Sequence, residues 1–355
     1  FSCWIKKADV GNTAPIFLGG TDTNNYTKIT IGSDDKLYVM YNSSGTYNEN
    51  FRSTQYFKDI SGWMHIVVAW DTTQGTASNR IKVYVNGTDI PGTRTNDPPE
   101  DFDGHINNTE HHAIGRATYN AGEWFNGYIA EIHHVDGTRL DATSFGKEDA
   151  ITGQWIPKKY GGSYGTNGFH LNFSDNSNNT AATLGKDSSG NGHNFTPANF
   201  SVSAGFDNDS VVDTPTNNYC TLSSTDGGGV SLSIKVNGNL QTATTNGSGH
   251  HPCYSTMAVE SGKWYIEYES VGGDNWTNFI APIAHDGGSH DQDSAVHNTA
   301  SPQLHKGYSM DSNYGSAYSG PADTWRSGGS YGSQLGTVGM LAFDLDNNKI
   351  YWGSD

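Results

Sequence analysis

The sequence has few charged residues, few cysteines and no long hydrophobic run, and each shortage excludes a class of protein. Charged residues are 16% of the 355 residues, too few for long exposed helices, which are usually rich in Lys and Glu. Three cysteines without a C-x-x-C pair form neither a disulfide framework nor a zinc ribbon. We predict free thiols at Cys3, Cys220 and Cys253, with Cys3 in the core. No apolar run approaches the roughly 18 residues of a membrane-spanning helix, so we expect no membrane insertion.

Basic residues are also scarce relative to acidic ones. The chain has 20 Lys and Arg against 37 Asp and Glu, which gives a formal net charge of −17. A protein that binds nucleic acid through phosphates needs basic patches, so this balance argues against a nucleic-acid partner. The same balance argues against electrostatic attachment to an anionic membrane surface.

Glycine, aromatic residues and short alternating segments are abundant. The chain has 44 glycines, and 12% of its residues are aromatic. Short β-branched or aromatic segments, separated by Gly, Asn, Asp and Ser, are typical of strands and turns. We therefore predict an all-β fold with two antiparallel β-sandwich (jelly-roll-like) domains, joined by an ordered, loop-rich connector. The predicted boundaries are 1–155, 156–218 and 219–355.

Local signals refine this prediction. The Asn-Gly pairs in "VNGT" (85–88) and "VNGN" (236–239) predict hairpins, because these residues accept the positive φ of a type I′ turn. The segment "DATSFGKEDAITG" (141–153) is the one stretch of the first block that we predict to form a short helix or helical turn. Four tryptophans lie in strand patterns and are predicted to be core residues: Trp4, Trp70, Trp264 and Trp352.

The connector is rich in Gly, Asn, Ser and Thr, which favour turns. Phenylalanines recur in it too often for a solvated linker. We predict that the connector is ordered and buries Phe173, Phe195 and Phe200 against a sandwich.

Motifs of the first block carry a family resemblance. They are "FSCWIKK", "SGWMHIVVAWD", "NRIKVYVNGTDI" and "FNGYIAEIHHVDGTRL". In this order they resemble the early aromatic strand, the Trp-His strand, the Tyr-Val-Asn-Gly hairpin and the closing strand of the laminin G-like, concanavalin A-type family. The family usually has a strand or two before the first of these motifs, so we expect the N-terminal domain to be truncated.

The last block resembles a different family. "SGKWYIEYES" and "VGMLAFDLDNNKIYW" are similar to a strand and a hairpin of SPRY (B30.2-like) domains. Such a domain normally continues beyond this hairpin. We therefore expect the C-terminal domain to be truncated as well, and the sequence to be a segment of a longer chain.

The order of the two domains and the connector at 184–219 resemble tail-associated and fibre-like structural proteins of marine bacteriophages. This resemblance implies a non-enzymatic virion protein, a tail fibre or tail-associated adhesin on the particle surface or tail. The implied partners are other virion proteins, further copies of the chain in a homo-oligomer such as a trimer, and a host-surface glycan or receptor. The alternative is an extracellular lectin-like binding protein, secreted or on a cell surface.

Catalysis is the least favoured alternative. Concanavalin A-type sandwiches include glycan hydrolases, and a retaining hydrolase needs two carboxylates about 5 Å apart. In "AEIHHVD", Glu131 and Asp136 have an odd spacing, which puts them on opposite faces of a regular strand. We therefore expect no enzymatic activity.

Calcium is the candidate cofactor, because relatives of the first domain often hold it in rim loops. Three loops supply hard oxygen ligands, although none has the spacing of an EF-hand. The candidate ligands are Asp22, Asp101, Asp103 and Asp187. Asp and Asn are also common turn formers, so both interpretations stay open.

Aromatic residues in the Gly- and Ser-rich loops of the last block form the candidate binding site. Rigid aromatics among small polar residues are also the composition of antibody paratopes. The predicted contact residues are Trp276, Tyr308, Tyr314, Tyr318 and Trp325. The same residues could instead pack against a neighbouring subunit.

Overall fold

The structure is a computed structural model of the chain. It describes residues 1–119, 122–205, 207–224, 233–244, 255–269, 308–311, 316–319, 324–327, 338–347 and 349–354. In this part of the chain the regular elements are antiparallel strands and two short 3-10 helices, which confirms the all-β prediction. None of its helices is long and apolar enough to cross a membrane.

The chain divides into two compact units. The first comprises Phe1–Asp226, Lys235–Ala243 and Tyr254–Thr256, and the second comprises Gly227–Ile234, Thr244–Cys253 and Met257–Asp355. The predicted connector therefore belongs to the first unit, and the division between the units lies near the predicted boundary at 219.

Two six-stranded antiparallel sheets build the first unit. The first sheet has the strand order β14-β11-β1-β6-β7-β8, with β14 Phe169–Leu171, β11 Gly127–His134, β1 Ser2–Lys7, β6 Met64–Trp70, β7 Ile81–Val85 and β8 Thr88–Asp89. The second has the order β10-β2-β3-β4-β5-β9, with β10 His111–Ile114, β2 Ala14–Asp22, β3 Asn25–Ile31, β4 Leu37–Ser43, β5 Thr46–Ser53 and β9 Gly92–Thr93.

A single apolar core lies between these sheets. Alternate residues of each strand point into it, among them Ile5 and Val68 from the first sheet and Ile29 and Val39 from the second. Cys3 is buried in the same cluster as a free thiol, as predicted, and burial raises its pKa. Trp4 is buried and Trp70 packs partly buried against the core, so both predictions are confirmed. Cys220 is exposed and free, whereas Cys253 lies outside the described residues.

The predicted turn residues lie where the chain reverses. Asn86 and Gly87 join β7 to β8 with φ values of 46° and 84°, in the left-handed region that a type I′ turn requires. The predicted helix at 141–153 is only a 3-10 turn, Ala142–Ser144. Asp141 caps this turn by accepting a hydrogen bond from the backbone N–H of Thr143 at 3.0 Å.

The connector is ordered along the described part of its length, but only two of the three predicted phenylalanines anchor it. Phe173 and Phe195 are partly buried against the core. The prediction for Phe200 is wrong, because its side chain is 51% exposed. Polar contacts hold this stretch instead: Asn179 donates to the Phe200 carbonyl, and the Asp209 carboxylate accepts from the Ser201 N–H at 2.6 Å.

The segment after β11 covers the outer face of the first sheet. It contains the hairpin of β12 Gly146–Glu148 and β13 Trp155–Pro157. Phe145, Trp155 and Tyr160 pack there around Val67 of β6. The first sheet is therefore buried on both faces in this region.

The second unit also consists of antiparallel strands where it is described. β17 Lys263–Glu269, β21 Val338–Asp344 and β22 Lys349–Ser354 form one sheet, and β18 Tyr308–Asp311, β19 Ser316–Ser319 and β20 Thr324–Ser327 form another. The predicted hairpin at 236–239 is confirmed between β15 Ser233–Val236 and β16 Gln241–Thr244, and its turn belongs to the first unit.

The tryptophan of β17 does not follow its prediction. Trp264 is 46% exposed, because its indole N–H donates to the Ser261 carbonyl at 2.8 Å and holds the ring beside its own turn. The side chain of Trp352 lies outside the described residues. The resemblance of this unit to SPRY domains stays a prediction.

Two consecutive lysines at the end of β1 are both buried. Lys6 donates to the Asp213 carboxylate at 2.7 Å and to the Tyr219 carbonyl at 2.6 Å, so it holds the end of the connector. Lys7 points the other way and donates to Asp35 at 2.7 Å and to the Phe57 carbonyl at 2.9 Å. Each buried ammonium is paired with a carboxylate, which burial of a charge requires.

Substitution of Asp213 tests this arrangement. Asp213→Ala leaves the Lys6 ammonium buried without its counter-ion, and we expect a loss of about 3–5 kcal/mol in the free energy of unfolding. Chemical denaturation measures it. The control is Asp89→Ala, which removes the half-exposed partner of Lys82 at 3.6 Å and should cost about 0–1 kcal/mol. Equal losses in the two variants would contradict the prediction.

Candidate functional site

The outer face of the second sheet is the first candidate site. Ile29, Ile31 and Val39 point into the core, so the alternate residues of β3 and β4 point outward. We call this surface the tyrosine face. It consists of Leu18, Tyr26, Lys28, Tyr38, Met40, Asn42, Tyr47 and Arg52, with Ala117, Tyr119 and Glu123 from the segment after β10.

One end of the tyrosine face is a packed aromatic pair. The rings of Tyr26 and Tyr119 are stacked with centroids 4.6 Å apart. The Lys28 ammonium lies 5.8 Å from the centroid of each ring and bonds Glu123 at 2.9 Å. Burial raises the pKa of both tyrosines, so both remain protonated at neutral pH. This end therefore presents phenol rings with a neutralised lysine between them.

The other end of the face is a fixed arginine. Arg52 lies opposite Tyr38 on the neighbouring strand, and its guanidinium is 5.4 Å from the ring centroid. The Asp34 carboxylate accepts from Arg52 at 2.6 Å and from the Tyr38 hydroxyl at 3.0 Å. Burial raises the pKa of Tyr38 to about 12, and the hydrogen bond to Asp34 acts in the same direction. The arginine is thus held in one orientation.

Three polar atoms of the face are buried without a hydrogen-bond partner. They are the Asn42 Oδ1, the Arg52 Nε and the Tyr119 hydroxyl. The Asn42 amide is held by its other end, which donates to the Thr23 carbonyl at 2.9 Å. A buried polar group without a partner costs about 1–3 kcal/mol.

Two exposed aromatic rings lie on this face or next to it in sequence. Tyr47 lies directly opposite Asn42 in register and is 49% exposed. Trp124 is 44% exposed, and the Arg116 guanidinium lies 4.6 Å from its ring centroid. Flat rings beside fixed donors and acceptors are the surface that a sugar ring needs, because its C–H faces stack and its hydroxyls form hydrogen bonds.

The second candidate site lies on the outer face of the first sheet. The carboxylate of Glu131 and the rings of His133 and His170 meet there, with one ligand atom of each within 4.8 Å of the others. We call these three residues the histidine–glutamate cluster. It is the one group of three or more such side chains with metal-binding spacing in the described part of the chain.

A β-bulge in β11 shapes this cluster. Ser2 of β1 pairs with His133, and Trp4 pairs with Ala130, so two residues of β11 oppose Cys3 alone. Glu131 is one of the two, and its φ of 49° lies in the left-handed region that non-glycine residues avoid. Such a conformation costs a non-glycine residue about 1–2 kcal/mol.

Register across the sheet explains the approach of the two histidines. His133 lies directly opposite His170 in the antiparallel pairing of β11 with β14. Their rings are stacked with centroids 4.1 Å apart and an interplanar angle of 14°. Glu131 Oε2 lies 3.0 Å from Nε2 of His170 and 3.6 Å from Nε2 of His133. The Tyr164 hydroxyl contacts Nδ1 of His133 at 2.8 Å.

The cluster is electrostatically coupled. Burial would raise the pKa of Glu131, but the contacts with His133 and His170 outweigh it and lower the pKa to about 2. Burial lowers the pKa of His133, against the opposing effect of Glu131. At neutral pH the cluster therefore holds a carboxylate anion beside a neutral, buried imidazole.

Comparison with known proteins identifies the first domain. Residues 1–143 match the family Laminin_G_3, described as the Concanavalin A-like lectin/glucanases superfamily. These residues form a concanavalin A-like domain. The match covers less than half of the 355 residues.

No curated protein matches the chain. A solved structure, the native heptameric SAP-like pentraxin from Limulus polyphemus, is similar at 17% identity with a TM-score of 0.24. The similarity covers 37% of this chain and 59% of that one. A similarity this weak supports no statement about assembly or ligands.

The candidate calcium ligands are separate residues of the first unit. Asp22, the last residue of β2, is exposed, and its carboxylate accepts from the Asn24 N–H at 2.7 Å, as a turn former does. Asp187 is buried, and its carboxylate accepts from the backbone N–H groups of His170 and His193, each at 2.9 Å. Asp101 and Asp103 are exposed. Calcium binding at these residues stays a prediction.

The candidate aromatic ligands fall in the second unit. Tyr308, Tyr318 and Trp325 lie on β18, β19 and β20, and Tyr318 is directly opposite Trp325 in register. Trp276 and Tyr314 lie outside the described residues. The role of these five residues in binding stays a prediction.

Sequence reasoning missed the histidine–glutamate cluster, although two signals were present. Glu131 and His133 have the even spacing of one strand face in "AEIHHVD", and His170 is the central residue of the strand in "GFHLNFS". The next residue, His134, points into the core beside Phe169. The pairing of β11 with β14 was the missing information.

The lowered pKa of Glu131 predicts that the free energy of unfolding depends on pH. A folded-state value of about 2, against an ordinary value of 4.5, stabilises the fold above about pH 4.5, and this contribution is lost as the pH falls towards 2. We expect the wild type to lose more unfolding free energy than Glu131→Gln between about pH 6 and pH 2.5. Urea denaturation across this range measures the difference.

The control for this prediction is Glu148→Gln, which removes an exposed carboxylate of β12. It corrects for the change in overall charge. A pH profile of Glu131→Gln that coincides with the wild-type profile would show that the Glu131 contacts do not contribute.

Proposed function

We propose that the chain is a non-enzymatic binding protein of a bacteriophage virion, a tail fibre or tail-associated adhesin that recognises a host-surface glycan. The tyrosine face of the concanavalin A-like domain carries this proposal. Its arginine, which Asp34 holds in one orientation, and its exposed Tyr47 supply hydrogen-bond donors and a stacking ring within one sheet. The superfamily description, which includes lectins, supports a carbohydrate- or protein-binding role.

The sheet makes this face a better recognition surface than an isolated loop. Tyr38, Asn42, Tyr47 and Arg52 lie on two adjacent strands that pair along their length except at a register shift after Val39. Side chains fixed in this way lose little conformational entropy when a ligand binds. A glycan fits the surface better than a strongly anionic ligand, because Asp34 and Glu123 already neutralise Arg52 and Lys28.

The virion location rests on the order of the two domains and on the connector sequence, both of which resemble phage structural proteins. The alternative, a secreted or cell-surface lectin-like protein, uses the same binding surface. Mass spectrometry of purified particles distinguishes the two. The proposal expects peptides of this chain in intact particles, and their presence only in a host culture without particles would exclude it.

The lack of catalysis is part of the proposal. The Glu123 carboxylate is engaged by Lys28, and Glu131 is engaged by two histidines on the other sheet. A retaining hydrolase instead requires two facing carboxylates about 5 Å apart that are available to the substrate.

Aromatic substitutions test the binding surface. Tyr47→Ala and Trp124→Ala each remove an exposed ring from the tyrosine face or its border, and each should weaken glycan binding about 2- to 10-fold. The probe is an array of immobilised oligosaccharides and bacterial surface polysaccharides, followed by titration of the best ligand.

The matched control is Tyr56→Ala, because Tyr56 is 62% exposed but lies between Lys36 and Lys58, away from the outward row of β3 to β5. It should bind like the wild type. Unchanged binding by Tyr47→Ala and Trp124→Ala, with binding to the array intact, would place the glycan site elsewhere and overturn the proposal for this face.

A further inference from the structure

We propose that the histidine–glutamate cluster is a binding site for a divalent transition-metal ion of the zinc class, which joins β11 to β14. The proposed ligands are Oε2 of Glu131, Nε2 of His133 and Nε2 of His170. The site is independent of the tyrosine face, which lies on the other sheet.

The spacing of the ligand atoms matches this ion. Two ligands bound tetrahedrally at about 2.0–2.1 Å from zinc lie about 3.3 Å from each other. The distances from Glu131 Oε2 to the two Nε2 atoms are 3.0 Å and 3.6 Å, on either side of this value. All three ligand atoms lie within 4.8 Å of one another, so rotation of the side chains can bring them to coordination distance.

The chemistry of the donor set selects the class of metal. Two imidazoles and one carboxylate are a ligand set of zinc and of other borderline transition metals, whereas calcium and magnesium prefer oxygen ligands. A carboxylate oxygen and a neutral imidazole nitrogen are the forms of these groups that bind a metal. The side chain of Glu131 is 38% exposed, which leaves room for water as a fourth ligand.

Surrounding residues hold the proposed ligands in place. The Tyr164 hydroxyl contacts Nδ1 of His133 and can accept a hydrogen bond from its N–H, which would leave the Nε2 lone pair for the metal. The backbone N–H of His170 donates to the buried Asp187 at 2.9 Å, which anchors β14 at this residue. Tyr164 is therefore a positioning residue for the site.

The ring of His170 must rotate when the metal binds. A metal lies close to the plane of each imidazole that binds it, and two rings stacked at 4.1 Å with an angle of 14° cannot both meet this condition. His133 is 4% exposed and is held by Tyr164, whereas His170 is 18% exposed. We therefore expect His170 to turn towards the ion and the stack to open.

The bulge at Glu131 is an independent observation that points to the same site. A strained backbone conformation of a non-glycine residue is commonly found where function fixes a side chain. Here the strained residue is the one whose carboxylate contacts both histidines.

Zinc titration of the full chain, after removal of metal with a chelator, tests the proposal. We expect the wild type to bind zinc, and His170→Ala to lose at least about 100-fold in affinity. Tyr164→Phe should lose about 10- to 100-fold, because it removes the group that orients His133. Cobalt in place of zinc provides a second readout, since its visible spectrum reports nitrogen and oxygen ligands in a four-coordinate site.

The matched control is His105→Ala. His105 contacts Glu110 at 2.8 Å, so it is a histidine–carboxylate pair without a third ligand. This variant should bind zinc like the wild type. Circular dichroism and thermal unfolding without metal show whether each variant is folded, and Glu131→Gln provides a second ligand variant if His170→Ala is not.

Two results would overturn the proposal. One is the absence of zinc binding by the wild type up to about millimolar concentration. The other is zinc binding of equal affinity in the wild type and in the folded ligand variants, which would place the metal elsewhere on the chain.

Discussion

Two buried ammonium groups at the end of β1 set the arrangement of the first unit. Lys6 and Lys7 are adjacent on a strand, so their side chains leave opposite faces of the sheet. A buried charge is tolerated only with a partner, and the partners come from different parts of the chain: Asp35 from the turn before β4, and Asp213 from the end of the connector. One short strand thus ties the second sheet to the first, and ties the connector to the outer face. Without these pairs, neither face would have its observed covering.

The two sheets consequently have different outer faces. The first sheet is covered by the segment from β12 to β14 and by the connector, and polar side chains beneath this cover must find partners there. His133, Tyr164 and His170 do so through each other and through Glu131. Over the second sheet, the segment around Tyr119 covers one end, and Tyr47 on its outer face is 49% exposed. A buried polar cluster and a partly exposed aromatic face are therefore results of the different covering of the two sheets.

The sequence predicted what depends on local pattern. Alternation placed the strands, and Asn86 and Gly87 marked a turn, because these signals act within a few residues. Burial of particular side chains was less predictable: Phe200 and Trp264 are exposed because neighbouring polar groups hold their segments. The histidine–glutamate cluster was not predictable. It requires the pairing of residues 133 and 170 across two strands and a bulge at Glu131, and neither follows from local spacing.

At the bulge, the backbone strain of Glu131 opposes the stabilising contacts of its carboxylate. Glycine at position 131 would relieve about 1–2 kcal/mol of left-handed strain. It would also remove a carboxylate whose hydrogen bond with His170 would otherwise contribute up to about 1.5–3 kcal/mol, a charged-group value that partial exposure reduces. The two energies nearly cancel, so stability alone gives glutamate little advantage over glycine here. A ligand that binds the carboxylate would supply that advantage, because its binding energy would then favour the strained conformation over the relaxed one.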